Sequence, residues 1–326
     1  MTRTVLVTGT TGFIGSHTAA GLHASGWSVT GVDIRPPVRE TNRWESITTD
    51  AADPAVLARV AAGEFDVVVH QAAITDTLTP ADERLEWANV TVPQRIASAC
   101  ARSGTRLVYA SSGAVYGVVG PGTASMESDA EDRMRCSGPL NAYARSKLAM
   151  DQAMRRRAET TGLDFVGLRY TNVFGPGEGP KGPMASILWQ IVTTAASGRP
   201  VALFDDTLTA ARDYLPVQLL VAALVRLLDN PGVSGIYNLG SAVPVRFQTL
   251  LGWCTAWAGA PIPMIPVPNP VRDRYQYWTC ADMGRLRAAL PGLPSANTAT
   301  IRAYAHALFD RARAQATAQG ELVNFL

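Results

Sequence analysis

Thr8-Gly9-Thr10-Thr11-Gly12-Phe13-Ile14-Gly15 follows an apolar run from Thr4 to Thr8 and opens a helical pattern over about residues 13 to 25. A strand, a glycine turn and a helix in that order make a phosphate-binding loop, because the free amides of the first helical turn face the bend. The glycines have mechanical reasons. A side chain at Gly9 or Gly12 would hold the backbone amides away from a pyrophosphate, and one at Gly15 would push the helix off the strand. The spacing is GxxGxxG, not GxGxxG, so the place of the loop directly after the first strand carries the argument. Thr11, Phe13 and Ile14 complete the expected cofactor-binding turn.

Asp33 closes a second apolar run, Ser28 to Asp33, 18 positions after Gly15. A carboxylate there accepts hydrogen bonds from both hydroxyls of an adenosine ribose and repels a 2′-phosphate. The expected cofactor is therefore NAD. Arg35, Arg39 and Arg43 follow closely enough to leave NADP open.

Working outward, further strand patterns run from Phe65 to His70, Arg106 to Ser111 and Phe165 to Tyr170, with helical patterns at about 54–62, 83–103 and 141–161. Such alternation predicts a doubly wound α/β fold with a parallel sheet covered on both faces. From Gly175 the texture changes to Gly/Pro-rich loops, GPGEGPKGP and PIPMIPVPNP, around shorter helices. The expected division is a dinucleotide-binding domain over 1–174, with returning segments near 213–240 such as YNLG at Tyr237 to Gly240. A smaller, interleaved substrate lobe is expected over 175–326.

The bulk composition sets limits on function. A chain of 326 residues with 47% hydrophobic content supplies core for both parts. With 29 basic and 27 acidic side chains, net +2, there is no global field to gather nucleic acid or an anionic membrane. Neither partner is expected. The longest apolar stretch, Leu215 to Leu228, contains Pro216, Gln218 and Arg226 and is too short to cross a bilayer; it reads as a buried helix. No secretory signal precedes the first strand, so a cytoplasmic protein is expected. Cys100, Cys136, Cys254 and Cys280 are scattered without histidines at ligand spacing, which predicts reduced core cysteines and no metal site.

Tyr143 and Lys147 in Asn141-Ala-Tyr143-Ala-Arg-Ser-Lys147 are four apart on a predicted helix, hence on one face. A phenol titrates near 10, so acting as a base at neutrality needs a shift of roughly three units, about 4 kcal/mol. The Lys147 ammonium and the positive charge of an oxidised nicotinamide can share that task. Ser112, at the end of the strand LVYASS, can hydrogen-bond a substrate hydroxyl as it becomes a carbonyl. Together these residues suit hydride chemistry at a carbinol carbon.

At these positions the chain resembles the extended short-chain dehydrogenase/reductase family of nucleotide-sugar epimerases and dehydratases, which has a Rossmann domain. The likeness runs through TGxxGxxG at Gly9 to Gly15, VVHQAA at Val68 to Ala73, SSGAVYG at Ser111 to Gly117, YARSK at Tyr143 to Lys147 and LRYTNVFGP at Leu168 to Pro176. The resemblance implies a Ser112/Tyr143/Lys147 triad, cofactor contact at Ala72, Tyr143 and Lys147, a role for Asn172 near the substrate phosphate or sugar, and a homo-oligomer built on the helices at about 83–103 and 141–161. Gly113-Ala114 stand where dehydratases of the family carry an acid, which disfavours net dehydration.

From Pro139 onward the chain is most similar to the ADP-L-glycero-D-manno-heptose 6-epimerase branch, through PLNAYARSK, GEGPKGPMAS, AARDY, GVSGIYNLG and RYQYWTCADMGRLRAA. That likeness implies Lys181 as a second acid/base group, Arg212 as a contact to the nucleotide diphosphate, and Arg274 and Tyr275 near the substrate. The chain departs from the pattern at Gly177, where arginine is usual, and in Leu215-Pro216-Val217-Gln218, which lacks the usual aspartate. The expected activity is 6-epimerisation of an ADP-heptose-like substrate. The alternatives are a 4-epimerase of an NDP-hexose or NDP-uronate, a one-way dehydrogenase or reductase, and a non-catalytic dinucleotide sensor.

Overall fold

The computed structural model describes residues 2–37 and 44–324. Its first half alternates strand and helix: β1 (Thr4–Thr8), α1 (Phe13–Ala24), β2 (Ser28–Asp33), β3 (Glu45–Thr48), α2 (Pro54–Ala61), β4 (Val67–His70), α3 (Glu83–Glu86), α4 (Val92–Ser103), β5 (Arg106–Ser112), α5 (Ala142–Thr161) and β6 (Phe165–Tyr170). Then come β7 (Asn172–Phe174), α6 (Ile187–Ala196), β8 (Val201–Phe204), β9 (Ala211–Pro216), α7 (Val217–Leu228), β10 (Gly235–Leu239), β11 (Pro244–Arg246), α8 (Phe247–Ala258), β12 (Met264–Val267), α9 (Gly284–Ala289) and α10 (Thr298–Asn324).

Among the described residues the main sheet has seven parallel strands in the order β10-β6-β5-β4-β1-β2-β3. The strand order reverses between β1 and β4, and in open α/β sheets the crevice at that reversal holds the ligand. Apolar side chains on both sheet faces bury beneath helices. One cluster joins Val5, Val7 and Val69 to Leu220 and Leu224 of α7; the other joins Leu6, Val68 and Leu107 to Ile96 of α4 and Met150 of α5. Each such side chain contributes about 1.5–3 kcal/mol.

Beyond β6 the chain builds a three-stranded sheet, β11-β9-β7, and a two-stranded one, β12-β8, around a third core of Leu188, Ile191, Tyr214 and Phe247. It returns to the main body twice: β10 pairs in register with β6, and Ala281, Met283, Leu286 and Leu290 join the cluster beneath α7.

Two element expectations are corrected. The helical pattern over 83–103 is interrupted by a π-turn at Trp87–Thr91. Pro93 lacks an amide hydrogen and its ring would collide with the carbonyl four residues back, so the turn widens ahead of it. The stretch Leu215 to Leu228 is not one helix: β9 runs to Pro216, and α7 starts at Val217. Strand pairing with β7 outweighs the apolar continuity of the sequence.

Candidate active site

A cleft of about 1840 Å³ runs along the carboxyl ends of the main-sheet strands and under the smaller sheets. At one end lies the glycine loop. Gly9 has φ +74°, and a Cβ there would meet Ala72 N at 2.8 Å; a Cβ on Gly15 would lie 2.0 Å from Gly9 O. These two glycines are thus fixed by backbone packing within the protein, and Gly15 guards the loop itself more than the strand. Gly12 is less confined, with Gly9 O at 3.2 Å.

Gly12 caps α1 without any side-chain hydrogen bond, and among the described residues no side chain occupies the amides of the first turn at Phe13 and Ile14. Thr11 Oγ1 is buried and has no partner among the described residues. Free amides at a helix start beside an orphaned hydroxyl fit an anionic pyrophosphate. Ala72 N donates to Thr8 Oγ1 at 3.1 Å, closing the floor under Gly9.

Asp33 is drawn towards the loop. Its Oδ2 accepts from Thr11 N at 3.0 Å and its Oδ1 from Arg35 N at 3.0 Å, with Arg35 Nε 3.8 Å away. The carboxylate is thereby aimed before any ribose arrives. Arg39 and Arg43 lie outside the described residues.

Further along the cleft, β5 ends at Ser112, opposite Tyr170 of β6. Ser112 Oγ accepts from Ala114 N at 3.1 Å. Asn141 caps α5 by accepting from Ala144 N at 2.8 Å, which sets the helix so that Tyr143 and Lys147 both line the cleft. The Lys147 Nζ donates to Ala110 O at 2.9 Å and lies 5.9 Å from the centroid of the Tyr143 ring. Burial pulls the Lys147 ammonium down to about 8, against the opposing charge of Asp151 one turn along α5.

Burial also raises the Tyr143 phenol above its usual value, and the Ser112 hydroxyl opposes that rise. In the protein alone, desolvation is the larger effect on the phenol. A positive charge brought by a bound oxidised nicotinamide opposes it. His70, beneath the site, bonds Thr8 Oγ1 at 2.8 Å and is driven down to about 3 by burial and then by Lys147. It is neutral across the working range.

The remaining expected residues also line the cleft. Arg212 on β9 is 7% exposed, with its guanidinium 5.0 Å from the Tyr275 ring centroid and 5.7 Å from that of Phe247. Its polar partners are Ala211 O at 3.3 Å and the Tyr275 hydroxyl, and no carboxylate pairs with it among the described residues. A buried cation so lightly paired suits an anionic ligand. Arg274, by contrast, is exposed at the rim.

Asn172, expected near the substrate phosphate or sugar, is fixed by the protein on its amide nitrogen. Its Nδ2 already donates to Asp213 O at 3.1 Å and Thr279 Oγ1 at 3.2 Å, which leaves its oxygen to accept from a hydroxyl. Lys181 is 31% exposed in the turn before α6, 3.1 Å from Glu178 Oε1 and 5.7 Å from the Phe13 ring centroid. Its link to Glu178 is not apparent from spacing alone.

Asn89 is a residue that the sequence reading missed. It sits in the π-turn, 1% exposed, accepting from Ile74 N at 2.9 Å and donating to Ile74 O at 2.9 Å and Ser146 Oγ at 3.0 Å. This ties the loop after β4 to the helix carrying Lys147. Pro93 inside a helical pattern was the available signal.

Comparison with known proteins adds three solved structures and one family. The UDP-glucose 4-epimerase of Thermus thermophilus, solved with NAD, is 27% identical at TM-score 0.78 and covers 94% of this chain and 99% of its own. The Helicobacter pylori ADP-L-glycero-D-manno-heptose-6-epimerase is 25% identical at TM-score 0.80, covering 94% and 96%. The Bacillus cereus UDP-glucuronic acid 4-epimerase shares the fold, at 21% identity, TM-score 0.78 and coverage of 95% and 99%. The family model for the NAD dependent epimerase/dehydratase family matches residues 5–240. With the glycine loop, the aimed Asp33 and the Ser112, Tyr143 and Lys147 wall within that span, the chain belongs to the NAD-dependent epimerase/dehydratase family.

Proposed function

We propose that the chain is a nucleotide-sugar epimerase that inverts C6 of an ADP-heptose-like substrate by transient oxidation. The observation that carries this reading is that two side chains with exchangeable protons from different elements, Tyr143 of α5 and Lys181 of the turn before α6, line one cleft with the glycine loop. Inversion at C6 suits such a pair. The carbonyl formed in the first half must turn before it is reduced from its other face, and a proton donor is needed in each orientation. The bound nicotinamide supplies a two-electron acceptor that becomes the donor for the return step.

Tyr143 takes the hydroxyl proton in one orientation, with Ser112 hydrogen-bonding the same oxygen. Lys181 returns a proton to that oxygen in the other, and both groups exchange with solvent between turnovers. Arg212 holds the diphosphate, Asn172 accepts from a sugar hydroxyl, and Arg274 and Tyr275 close the nucleotide end. Asp33 favours NAD, while Arg35 leaves NADP as a weaker alternative.

A 4-epimerase of an NDP-hexose or uronate is the second reading, favoured by the likeness over nearly the whole chain to the UDP-glucose 4-epimerase of Thermus thermophilus. Lys181→Ala separates the two. Under the 6-epimerase reading it blocks the half-reaction of one C6 epimer and spares that of the other. Unimpaired turnover of an NDP-hexose by this variant supports the 4-epimerase.

A further inference from the structure

Glu178 lies in the loop between β7 and α6 with no exposed surface. Three donors converge on it: Lys181 Nζ at 3.1 Å, Ser186 N at 2.5 Å and Ser186 Oγ at 3.0 Å. Ser186 is itself fixed, because it caps α6 by accepting from Trp189 N at 3.2 Å. The carboxylate is therefore anchored from the helix side. Lys181 reaches from it towards the Phe13 ring, at the start of α1 beside the glycine loop.

We propose that Glu178 is the positioning residue of Lys181: anchored by Ser186, its carboxylate fixes the ammonium beside Phe13, where it can deliver a proton to the substrate oxygen. This rests on the reading of Lys181 as the second proton-transferring group. A lysine on four rotatable carbons does not hold one position unaided, and misplacement of a reacting group by about 1 Å costs of the order of 10² in rate.

Few other titratable groups face the pair. From α1 comes His17, whose Nε2 meets Pro176 O at 2.8 Å. From β9 comes Tyr214, whose phenol is held well above its usual value by burial first and, to a smaller extent, by the charges of Tyr275 and Glu178. The sequence of α6, Ile187–Ala196, has no titratable side chain. Burial raises the Glu178 carboxyl above the usual range, and Lys181 and Ser186 hold it back. Anchoring needs the carboxylate, so it is complete above that raised value and fails as pH falls through it.

The test is single-turnover oxidation of bound NADH by the 6-keto sugar nucleotide, followed by nicotinamide absorbance, with formation of each C6 epimer resolved by proton NMR and across pH. In the unmodified enzyme the half-reaction of one epimer should show an acid limb above the usual carboxylate range. Glu178→Gln should slow that half-reaction by the order of 10² and flatten the limb. The other epimer should be unaffected, and Glu178→Asp should recover part of the rate. Equal slowing of both epimers by Glu178→Gln, or of neither, overturns the positioning role.

Lys181→Ala reads the underlying assignment independently. If it is selective for one epimer and Glu178→Gln is not, the positioning role alone fails; if it is not selective, the role of Lys181 fails first. Should Glu178→Gln not fold, the unmodified enzyme still decides, because absence of an acid limb confined to one epimer contradicts the proposal.

Discussion

Tyr143 is a half-buried phenol in a site whose own charges do not ionise it. Replacing it with Phe removes the proton acceptor and leaves the cleft shape. Turnover should fall by about 10²–10⁴ with NAD binding retained, measured by steady-state kinetics and calorimetry. Ser112→Ala removes the hydroxyl that lowers the Tyr143 phenol, so the acid limb of the pH–rate profile should move to higher pH. A limb that stays in place would mean that Ser112 acts on the substrate alone. Lys147 gives a stability test: its folded value, about 8, lies below the ordinary lysine value, so the unfolded chain binds more protons between them. Cofactor-free protein should therefore gain stability as pH rises from about 8 towards 10, and Lys147→Met should lose that gain in denaturant titrations. These three residues are legible in sequence because their spacing and strand context define them. Glu178 and Asn89 are not, since each acts through partners that meet only after folding.

At the scale of elements, the glycine loop makes the sharpest demand. A methyl at Gly15 would stand 2.0 Å from a backbone carbonyl, which cannot move aside as a side chain could. Gly15→Ala should abolish NAD binding, whereas Gly12→Ala, with its nearest atom at 3.2 Å, should weaken binding and leave it measurable by calorimetry. Comparable losses in both variants would mean that close approach of the ligand, and not internal packing, governs the loop. β1, β2 and α1 were readable because buried parallel strands give unbroken apolar runs and the loop punctuates them. β3 was not: ESIT is short, polar and mostly exposed at the sheet edge. The join between β9 and α7 was hidden because both elements are buried and Pro216 falls at their boundary without a capping side chain.

Over the whole molecule, a buried network ties the catalytic helix to the sheet and to the returning segments. Arg169 on β6, with no exposed surface, bonds Asp151 Oδ2 at 2.8 Å, Tyr116 OH at 3.1 Å and Glu127 O at 2.8 Å; Tyr109 OH bonds Asp151 Oδ1 at 3.0 Å. Tyr116 continues to Asn238 of β10, which reaches Ser125 O and Asp282 O. Arg169→Met alone strands a buried carboxylate and should cost about 3–5 kcal/mol in chemical denaturation, while adding Asp151→Leu should recover much of the loss. No recovery would place the cost in packing. The interleaving near 213–240 showed in the sequence as YNLG, but the second return around 281–290 did not, because its short helix lies between loops and has little periodicity to display. Among the described residues no helix is long and apolar enough to cross a membrane.

Proton NMR of the purified protein with NAD and ADP-D-glycero-D-manno-heptose tests the central claim most directly. The account predicts appearance of the L-glycero epimer, with loss of that conversion in Tyr143→Phe. An unchanged spectrum, alongside turnover of an NDP-hexose at C4, would contradict it.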